Sequence, residues 1–214
     1  MTQPTFTPGG TRAEPVRAPQ GRGFGLKEIL AVVTLGVVFG FLYYLLVQGW
    51  NALAVAMGPF GDLAQNVVIG GWFVVAPLAL FVVRKPGAGL VAEIMASIVE
   101  FVFLGSPVGP ILLLSATIQG LGSELGFALF RYRRYDLVAF LTSGLTAAIF
   151  SFVYSTIRFG WFGQSLFEAR LGLHLVSGLV LCGVLGWVIA RALLRTGVLR
   201  DLPAGRAVAT AADA

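Results

Sequence analysis

The sequence predicts an all-α integral membrane protein with six transmembrane helices in one bundle and with both termini in the cytoplasm. Of its 214 residues, 57% are hydrophobic and only 12% are charged. A soluble domain usually carries about 25% charged residues, so this composition indicates a chain that resides in lipid. The apolar runs give the number of spans, and the distribution of lysine and arginine gives their orientation.

Each predicted span is an apolar run close to the length of about 20 residues that a helix needs to cross a bilayer. The third run is shorter, and we expect it to be shielded by its neighbours or extended into residues 86–88. The predicted spans are residues 27–47, 63–83, 89–104, 109–130, 137–157 and 171–194.

Two polar tails flank this membrane domain. Residues 1–24 are rich in Pro, Gly, Thr and Arg and contain no apolar run, whereas residues 199–214 are rich in Ala with scattered charges. The first segment lacks the apolar core of a signal peptide, and its composition is typical of disorder. We therefore expect disordered cytoplasmic tails at 1–24 and 199–214 around a six-helix membrane domain at 25–198.

Basic residues are distributed unevenly between the two sides that six spans define. Of the 15 lysines and arginines, all but Arg158 and Arg170 fall on one side. The positive-inside rule places that side, with both termini, in the cytoplasm. The net charge of +5 is therefore explained by membrane orientation, and no nucleic-acid partner is predicted.

Several classes of chemistry are disfavoured. A single histidine and a single cysteine argue against a metal site and exclude an intramolecular disulfide. The phosphate-binding G-x-x-x-x-G-K-[ST] motif is missing from the sequence, as are H-E-x-x-H and G-x-S-x-G. We expect no catalytic residues, no metal and no cofactor, and hence a protein that is not an enzyme.

Polar side chains within the third and fourth spans are candidates for a ligand pocket. Burying a carboxylate in a membrane costs about 3 kcal/mol or more, so each one lies near a span end, is paired within the bundle, or lines a polar pocket. Glu93 and Glu100 are seven residues apart and project from one face of a helix. Counted from the basic loops, Glu93 and Glu124 form an inner layer, and Glu100 and Gln119 form an outer layer.

Aromatic and polar side chains towards the outer ends of other spans extend this pocket. Rings stack on a flat heterocycle or attract a cation, and amide and imidazole groups donate and accept hydrogen bonds. Each residue alone is explained as well by an interfacial or packing role. As a set, they predict a pocket open to the outside. The candidate ligand-binding residues are Glu100, Gln119, Trp72, Glu93, Glu124, Asn66, Tyr43 and His174.

Small residues in the first span predict a docking face for a partner helix. Gly36 and Gly40 form a G-x-x-x-G pattern, and Ala31 lies about one turn earlier. Such a face lets another helix approach closely, although the pattern is common in membrane helices.

The hairpin of the third and fourth spans resembles the YkoE-type family, the substrate-binding S components of energy-coupling factor (ECF) transporters assigned to thiamin or its hydroxymethylpyrimidine precursor. The most specific match is the Q-G-L-G-S-E-L run at 119–125, which is followed by the basic, Tyr-rich loop at 131–135. Weaker matches are Pro86-Gly87-Ala88-Gly89, Ala92-Glu93, Glu100 and Phe127-Ala128. The six-helix plan is similar over nearly the whole membrane part.

The resemblance implies a multi-pass subunit of the bacterial plasma membrane that binds thiamin or hydroxymethylpyrimidine from the outer side. It further implies delivery inward with a membrane coupling subunit and two cytoplasmic ABC ATPases. In S components the first span commonly packs on its partner through an A-x-x-x-A pattern, for which Gly36 and Gly40 are the nearest match here.

Two other interpretations stay open. The chain could be a self-sufficient proton-coupled carrier of a small cationic or heterocyclic solute, with Glu93 or Glu124 as the proton relay. A membrane-embedded enzyme is a third interpretation, but it would need a nucleophile–base pair or a metal cluster that the sequence does not offer.

Overall fold

The computed structural model describes residues 23–212, and every regular element in that range is helical. This confirms the all-α prediction. The α-helices are α1 (Leu26–Ala56), α2 (Ala64–Val68), α3 (Val75–Val83), α4 (Ala88–Ile98), α5 (Ile111–Ala128), α6 (Leu137–Phe159), α7 (Phe167–Ser177), α8 (Gly186–Arg195) and α9 (Pro203–Ala212). Two short 3₁₀ segments, Gly58–Leu63 and Ile69–Phe73, flank α2. Two π-helical segments complete the chain: Val99–Phe103 continues α4, and Gly178–Leu185 joins α7 to α8.

Five helical stretches are long and apolar enough to cross a membrane. They are Leu26–Ala56, Gly58–Val83, Ile111–Ala128, Leu137–Phe159 and Phe167–Arg195. The third predicted span corresponds to α4 and its π-helical continuation, which together fall below the 18 residues that the other stretches reach. Its shortness agrees with the sequence, and its crossing of the membrane stays a prediction.

The second long stretch lies at the centre of the bundle. Every residue of α3 is buried, and the most apolar part of Gly58–Val83 is 83% buried, compared with 28% for α1. A helix that is apolar on all sides is stable only when protein or lipid surrounds it. Here α1, α4 and α8 surround α3. The peripheral helix α1 is mostly exposed, and in a membrane its apolar outer surface would face lipid.

The central stretch is interrupted where it passes the sixth span. At Gly70 a Cβ atom would lie within 2.1 Å of the Ser177 carbonyl oxygen, so only glycine permits this approach. The Ser177 hydroxyl accepts a hydrogen bond from the Gly70 amide at 2.9 Å and donates one to the Val67 carbonyl at 2.7 Å. Irregular backbone inside a membrane requires such substitute partners.

The G-x-x-x-G face of α1, which was predicted to dock a partner subunit, packs against a helix of the same chain. A Cβ atom on Gly36 would lie 2.6 Å from Met95 Cβ, and one on Gly40 would lie 2.5 Å from Val99 Cβ. The close helix approach is therefore between α1 and α4 of the same molecule. Ala31, on the preceding turns, is half-buried and packs against the core. The motif takes part in close packing within the chain, and docking of a partner subunit on this face stays a prediction.

The segment that was predicted to be a second disordered tail contains a helix, α9. Pro203 begins this helix, at the position where its missing amide costs nothing. Leu199 and Ala204 are buried, and α9 contacts α3. Apolar contact with the bundle thus outweighs the polar composition of this segment. The proposed tail at 1–24 falls almost entirely outside the described residues.

Candidate ligand site

The centre of the candidate site is Glu100, which lies in the π-helical continuation of α4 and is 0% exposed. Its Oε1 accepts a hydrogen bond from the Ser106 hydroxyl at 2.9 Å. The Trp72 indole lies next to the same carboxyl group. No protein partner within residues 23–212 reaches Oε2. The carboxyl group therefore retains hydrogen-bonding capacity deep in the bundle, a situation that native structures rarely leave without a reason.

Two features of local structure bring Glu100 and Trp72 together. A π-helical turn widens the helix, and such turns frequently occur at functional sites. The loop after it folds back, so that Ser106 N donates to the Glu100 carbonyl at 3.1 Å. Trp72 lies in the 3₁₀ segment that interrupts the central stretch. The structure thus brings these two predicted residues close together.

A cleft opens on the predicted outer side, above this pair. Two adjoining cavities of about 380 Å³ each share Trp50, Asn51, Gln65 and Phe159 in their walls. Trp50 contacts Trp72 edge to face, with ring centroids 6.4 Å apart, and so connects the cleft to the buried pair. Cavities of this size suit small ligands.

A second polar cluster lies beside the cleft, around His174. This residue is 0% exposed, and its Nδ1 lies 2.9 Å from Asn66 Oδ1. Because an amide oxygen only accepts, Nδ1 carries the proton in this arrangement. Nε2 then accepts from the Ser151 hydroxyl at 3.4 Å. Within the described chain no partner reaches Asn66 Nδ2, which leaves a buried donor next to the imidazole.

Glu93, the first member of the inner layer, is 1% exposed and receives a hydrogen bond from the Tyr43 hydroxyl at 3.4 Å. The same hydroxyl accepts from the Val75 amide at 3.3 Å. Tyr43 therefore connects Glu93 to the start of α3. These two predicted residues lie together, in a closely packed region rather than in the walls of the outer cleft.

Glu124, the second member, holds the start of α4. It accepts from the amides of Gly89 and Leu90 at 2.9 and 3.3 Å, and from the Tyr132 hydroxyl at 2.9 Å. A carboxylate is favoured at a helix N-terminus, where amides lack intrahelical partners. Burial, together with the neighbouring carboxylate, raises the pKa of Tyr132, so that this phenol stays a neutral donor.

Gln119 is 8% exposed on α5, and its neighbour Gly120 packs closely against Leu90 and Glu93 of α4. The hydrogen bonds within residues 23–212 do not join Gln119 to Glu100 or to Trp72. The structure thus brings together three pairs of the predicted residues, namely Glu100 with Trp72, Glu93 with Tyr43, and Asn66 with His174.

Sequence reasoning missed an ion pair at the mouth of the cleft. Arg170, whose side chain is 3% exposed, pairs with Asp62 and lies 4.7 Å from the centroid of the Trp161 ring. Asp62 and Trp161 both line the cleft. The available signal was that Arg170 is one of only two basic residues on the predicted outer side, where a buried arginine needs an acidic partner.

Comparisons with known proteins agree with this architecture. Residues 27–150 match the family model described as ABC-type cobalt transport system, permease component. A relative from Bacillus subtilis (strain 168), which carries the name HMP/thiamine permease protein YkoE, is 34% identical over 187 residues, or 86% of this chain and 92% of the relative. A crystal structure of an S-component of an ECF transporter superposes with a TM-score of 0.82 at 34% identity, covering 89% of this chain and 96% of the other. The chain therefore belongs to the YkoE-type family of S components of ECF transporters.

Proposed function

We propose that this chain captures thiamin or its hydroxymethylpyrimidine precursor from the outer side of the bacterial plasma membrane. A membrane coupling subunit and two cytoplasmic ABC ATPases would then drive delivery inward. The observation that carries the proposal is the buried Glu100 carboxyl group, with one unpartnered oxygen, next to Trp72 and beneath an aromatic cleft.

The chemistry of these groups suits the proposed ligands. Both carry a flat aminopyrimidine, whose amino group can donate to a carboxylate. Thiamin also carries a cationic thiazolium, which the faces of Trp50 and Trp72 would attract. Asn66 Nδ2, a buried donor without a partner in the described chain, supplies a further group for a ring nitrogen. Glu100 would bind charge or donors, and Trp72 would stack on the ring, with Gln119 contacting its edge.

The structure offers less support for the carrier alternative. A proton relay requires a carboxyl group that alternates between two sides of the membrane. Glu124 already accepts three hydrogen bonds that hold the start of α4, and releasing them would disrupt that helix end. Glu93 is enclosed between α1, α3 and α5. The contacts of Glu93 and Glu124 are therefore those of structural residues rather than of a mobile proton relay.

The direct test is calorimetric titration of thiamin and of hydroxymethylpyrimidine into the purified protein and its Glu100→Gln variant. Glutamine keeps the size of the side chain and removes its charge. The loss of a charge-assisted hydrogen bond, about 1.5–3 kcal/mol, should weaken binding by roughly 10- to 150-fold. Glu93→Gln is the matched control, because it removes a second buried carboxylate from α4 and should weaken binding less.

Equal affinity of the parent and of Glu100→Gln for both ligands would show that Glu100 does not contact them. If neither compound binds the parent protein, the assignment to thiamin or hydroxymethylpyrimidine is itself wrong. Mass spectrometry of small molecules that copurify with the parent would then identify the natural ligand.

A further inference from the structure

An apolar groove runs along the lipid-facing side of the α5–α6 pair, away from the ligand cleft. Its volume is about 380 Å³, and its walls are Ile118 from α5 together with Ile149, Phe150, Val153, Tyr154 and Ile157 from α6. Apart from the Tyr154 hydroxyl, these side chains are hydrocarbon. The groove lies within two of the stretches that are long and apolar enough to cross a membrane, so acyl chains surround it.

The packing of α5 against α6 explains why the groove is present. Towards the inner end the helices touch through glycine, since a Cβ atom on Gly126 would lie 2.4 Å from Ser143 Cα and one on Gly122 would lie 2.7 Å from Ala147 Cα. Towards the outer end they meet through longer side chains, because the Tyr154 and Ser115 hydroxyls are hydrogen-bonded at 3.2 Å. A tyrosine ring between two helices keeps their backbones apart and leaves a hollow on the lipid side.

A cation lies at the outer end of this groove. The Arg158 guanidinium group is 6.0 Å from the Tyr154 ring centroid and 4.8 Å from that of Phe159. Across residues 23–212, no carboxylate lies within ion-pair distance of it. The other outer arginine, Arg170, is paired with Asp62. Arg158 is exposed at the end of α6, the level at which lipid headgroups meet a membrane protein.

We propose that this groove binds one anionic phospholipid of the outer leaflet. An acyl chain occupies the hollow between Ile118 and Val153, and the headgroup phosphate pairs with Arg158. The shape accounts for the chain and the charge accounts for the headgroup, because an arginine at the interface attracts anionic lipid whereas zwitterionic lipid carries no net charge to attract. The hollow itself shares no wall residue with the ligand cleft, but Arg158 also lines one of the two cavities of that cleft, so lipid labelling and ligand titration are measured separately.

The test uses the full chain reconstituted in phosphatidylcholine vesicles doped with phosphatidylglycerol. One lipid at a time carries a photoactivatable diazirine in its acyl chain, and mass spectrometry maps the labelled residues. Phosphatidylglycerol should label residues 149–157 and Ile118 more strongly than phosphatidylcholine does. In Arg158→Gln the preference for phosphatidylglycerol over phosphatidylcholine should fall by about fivefold, the change in affinity expected when one arginine is lost at a membrane surface.

Two further variants make the result specific. Val153→Trp fills the hollow from a lipid-facing position and should reduce labelling by both lipids. Arg191→Gln is the matched control, because Arg191 also lies over an aromatic ring, 5.5 Å from the Trp187 centroid, but near the opposite end of the bundle. Labelling of the α5–α6 groove should be unchanged in that variant.

Three outcomes would overturn the proposal. Labelling could be equally strong along all lipid-facing helices, or the preference for phosphatidylglycerol could survive Arg158→Gln. The third outcome is crosslinking between two copies of an Ile157→Cys variant, which would show that a second molecule covers the groove. Thiamin titration run in parallel distinguishes these failures from a failure of the proposed function.

Discussion

Glu100 and Glu124 illustrate how similar side chains acquire different roles in one hairpin. Glu124 accepts three hydrogen bonds, two from amides at the start of α4 and one from the Tyr132 hydroxyl. By contrast, Glu100 Oε2 has no partner in the part of the chain that the structure describes. A carboxylate whose oxygens already accept hydrogen bonds from the protein stabilises the fold, whereas one with an oxygen that lacks a partner can accept a hydrogen bond from a ligand. Glu124 should therefore affect stability first.

We expect Glu124→Ala to lower the free energy of unfolding by about 1–3 kcal/mol, because it removes the acceptor from buried amides. Unfolding in mixed micelles would measure this change. Glu168→Ala is the control, since Glu168 is exposed in the first turn of α7, and it should cost about 0.5 kcal/mol or less. If Glu124→Ala is as stable as the control and yet loses ligand affinity, Glu124 belongs to the ligand site.

The positions of these carboxylates within the bundle were predictable from the sequence, but their separate roles were not. Polar residues inside apolar runs are conspicuous, and their spacing gives helix face and depth. Their hydrogen-bond partners depend on tertiary contacts, such as the one that brings the amide of Gly89 to Glu124 across 35 positions of the chain. The π-helical turn at Glu100 likewise has no composition that distinguishes it from the α-helix before it.

Among the helices, the contact between α1 and α4 shows the same limit. The pattern Gly36-x-x-x-Gly40 indicated a close helix approach, and the structure shows that Ala92 and Ala96 of α4, with Val99 of its π-helical continuation, supply the opposite surface. A small-residue stripe specifies that some helix approaches but contains no information about which one. This internal contact determines what a substitution on this face should do to the isolated protein.

Gly40→Ala should destabilise the isolated protein rather than disturb only its assembly. The added Cβ would lie 2.5 Å from Val99 Cβ and 2.8 Å from the Ala96 carbonyl oxygen, and such overpacking costs about 1–3 kcal/mol. Gly49→Ala on the same helix is the matched control, because nothing lies within 4 Å of its added Cβ. It should be neutral or stabilising by about 1 kcal/mol through helix propensity.

Thermal unfolding of both variants in detergent provides the measurement. A Gly40→Ala protein as stable as Gly49→Ala, but unable to copurify with its energising subunits, would restore the original docking interpretation. Equal stability together with normal copurification would show that α1 and α4 tolerate a wider separation than the structure indicates.

Over the whole molecule, the two ends of the described chain meet at one end of the bundle. Lys27 at the start of α1 pairs with Asp201, beyond α8, at 2.8 Å, and the Lys85 ammonium group donates to the Gly23 carbonyl at 2.9 Å. The Lys27 hydrogen bond holds the pKa of the Asp201 carboxyl below its usual value, so this carboxyl is ionised at neutral pH. Exposed ion pairs contribute little stability, and this one shows only that the two chain ends lie side by side.

This arrangement supports an even number of membrane crossings. Five stretches meet the length requirement on their own, and a chain with both ends on one side needs a sixth crossing. The short α4 and its π-helical continuation connect the end that carries Lys85 to the end that carries Ser106, near the outer cleft. Shielding by α1, α3 and α5 allows a segment of this length to cross, because its backbone faces protein rather than lipid.

A reporter fused after Ala214 should therefore show cytoplasmic activity, because the positive-inside rule places the Lys27 and Arg84 end of the bundle in the cytoplasm. The control is the same reporter fused after Phe162, between α6 and α7, where the rule predicts an external location. Alkaline phosphatase is active only outside the cytoplasm, whereas green fluorescent protein that is exported unfolded fluoresces only when it stays inside. The two reporters should therefore give opposite signals at the two positions. Equal signals at both fusion points would mean that α7 and α8 do not cross the membrane.

An external signal at Ala214 with an internal one at Phe162 would mean that the protein has the opposite orientation. The aromatic cleft would then lie on the cytoplasmic side, where it could not capture a solute from outside.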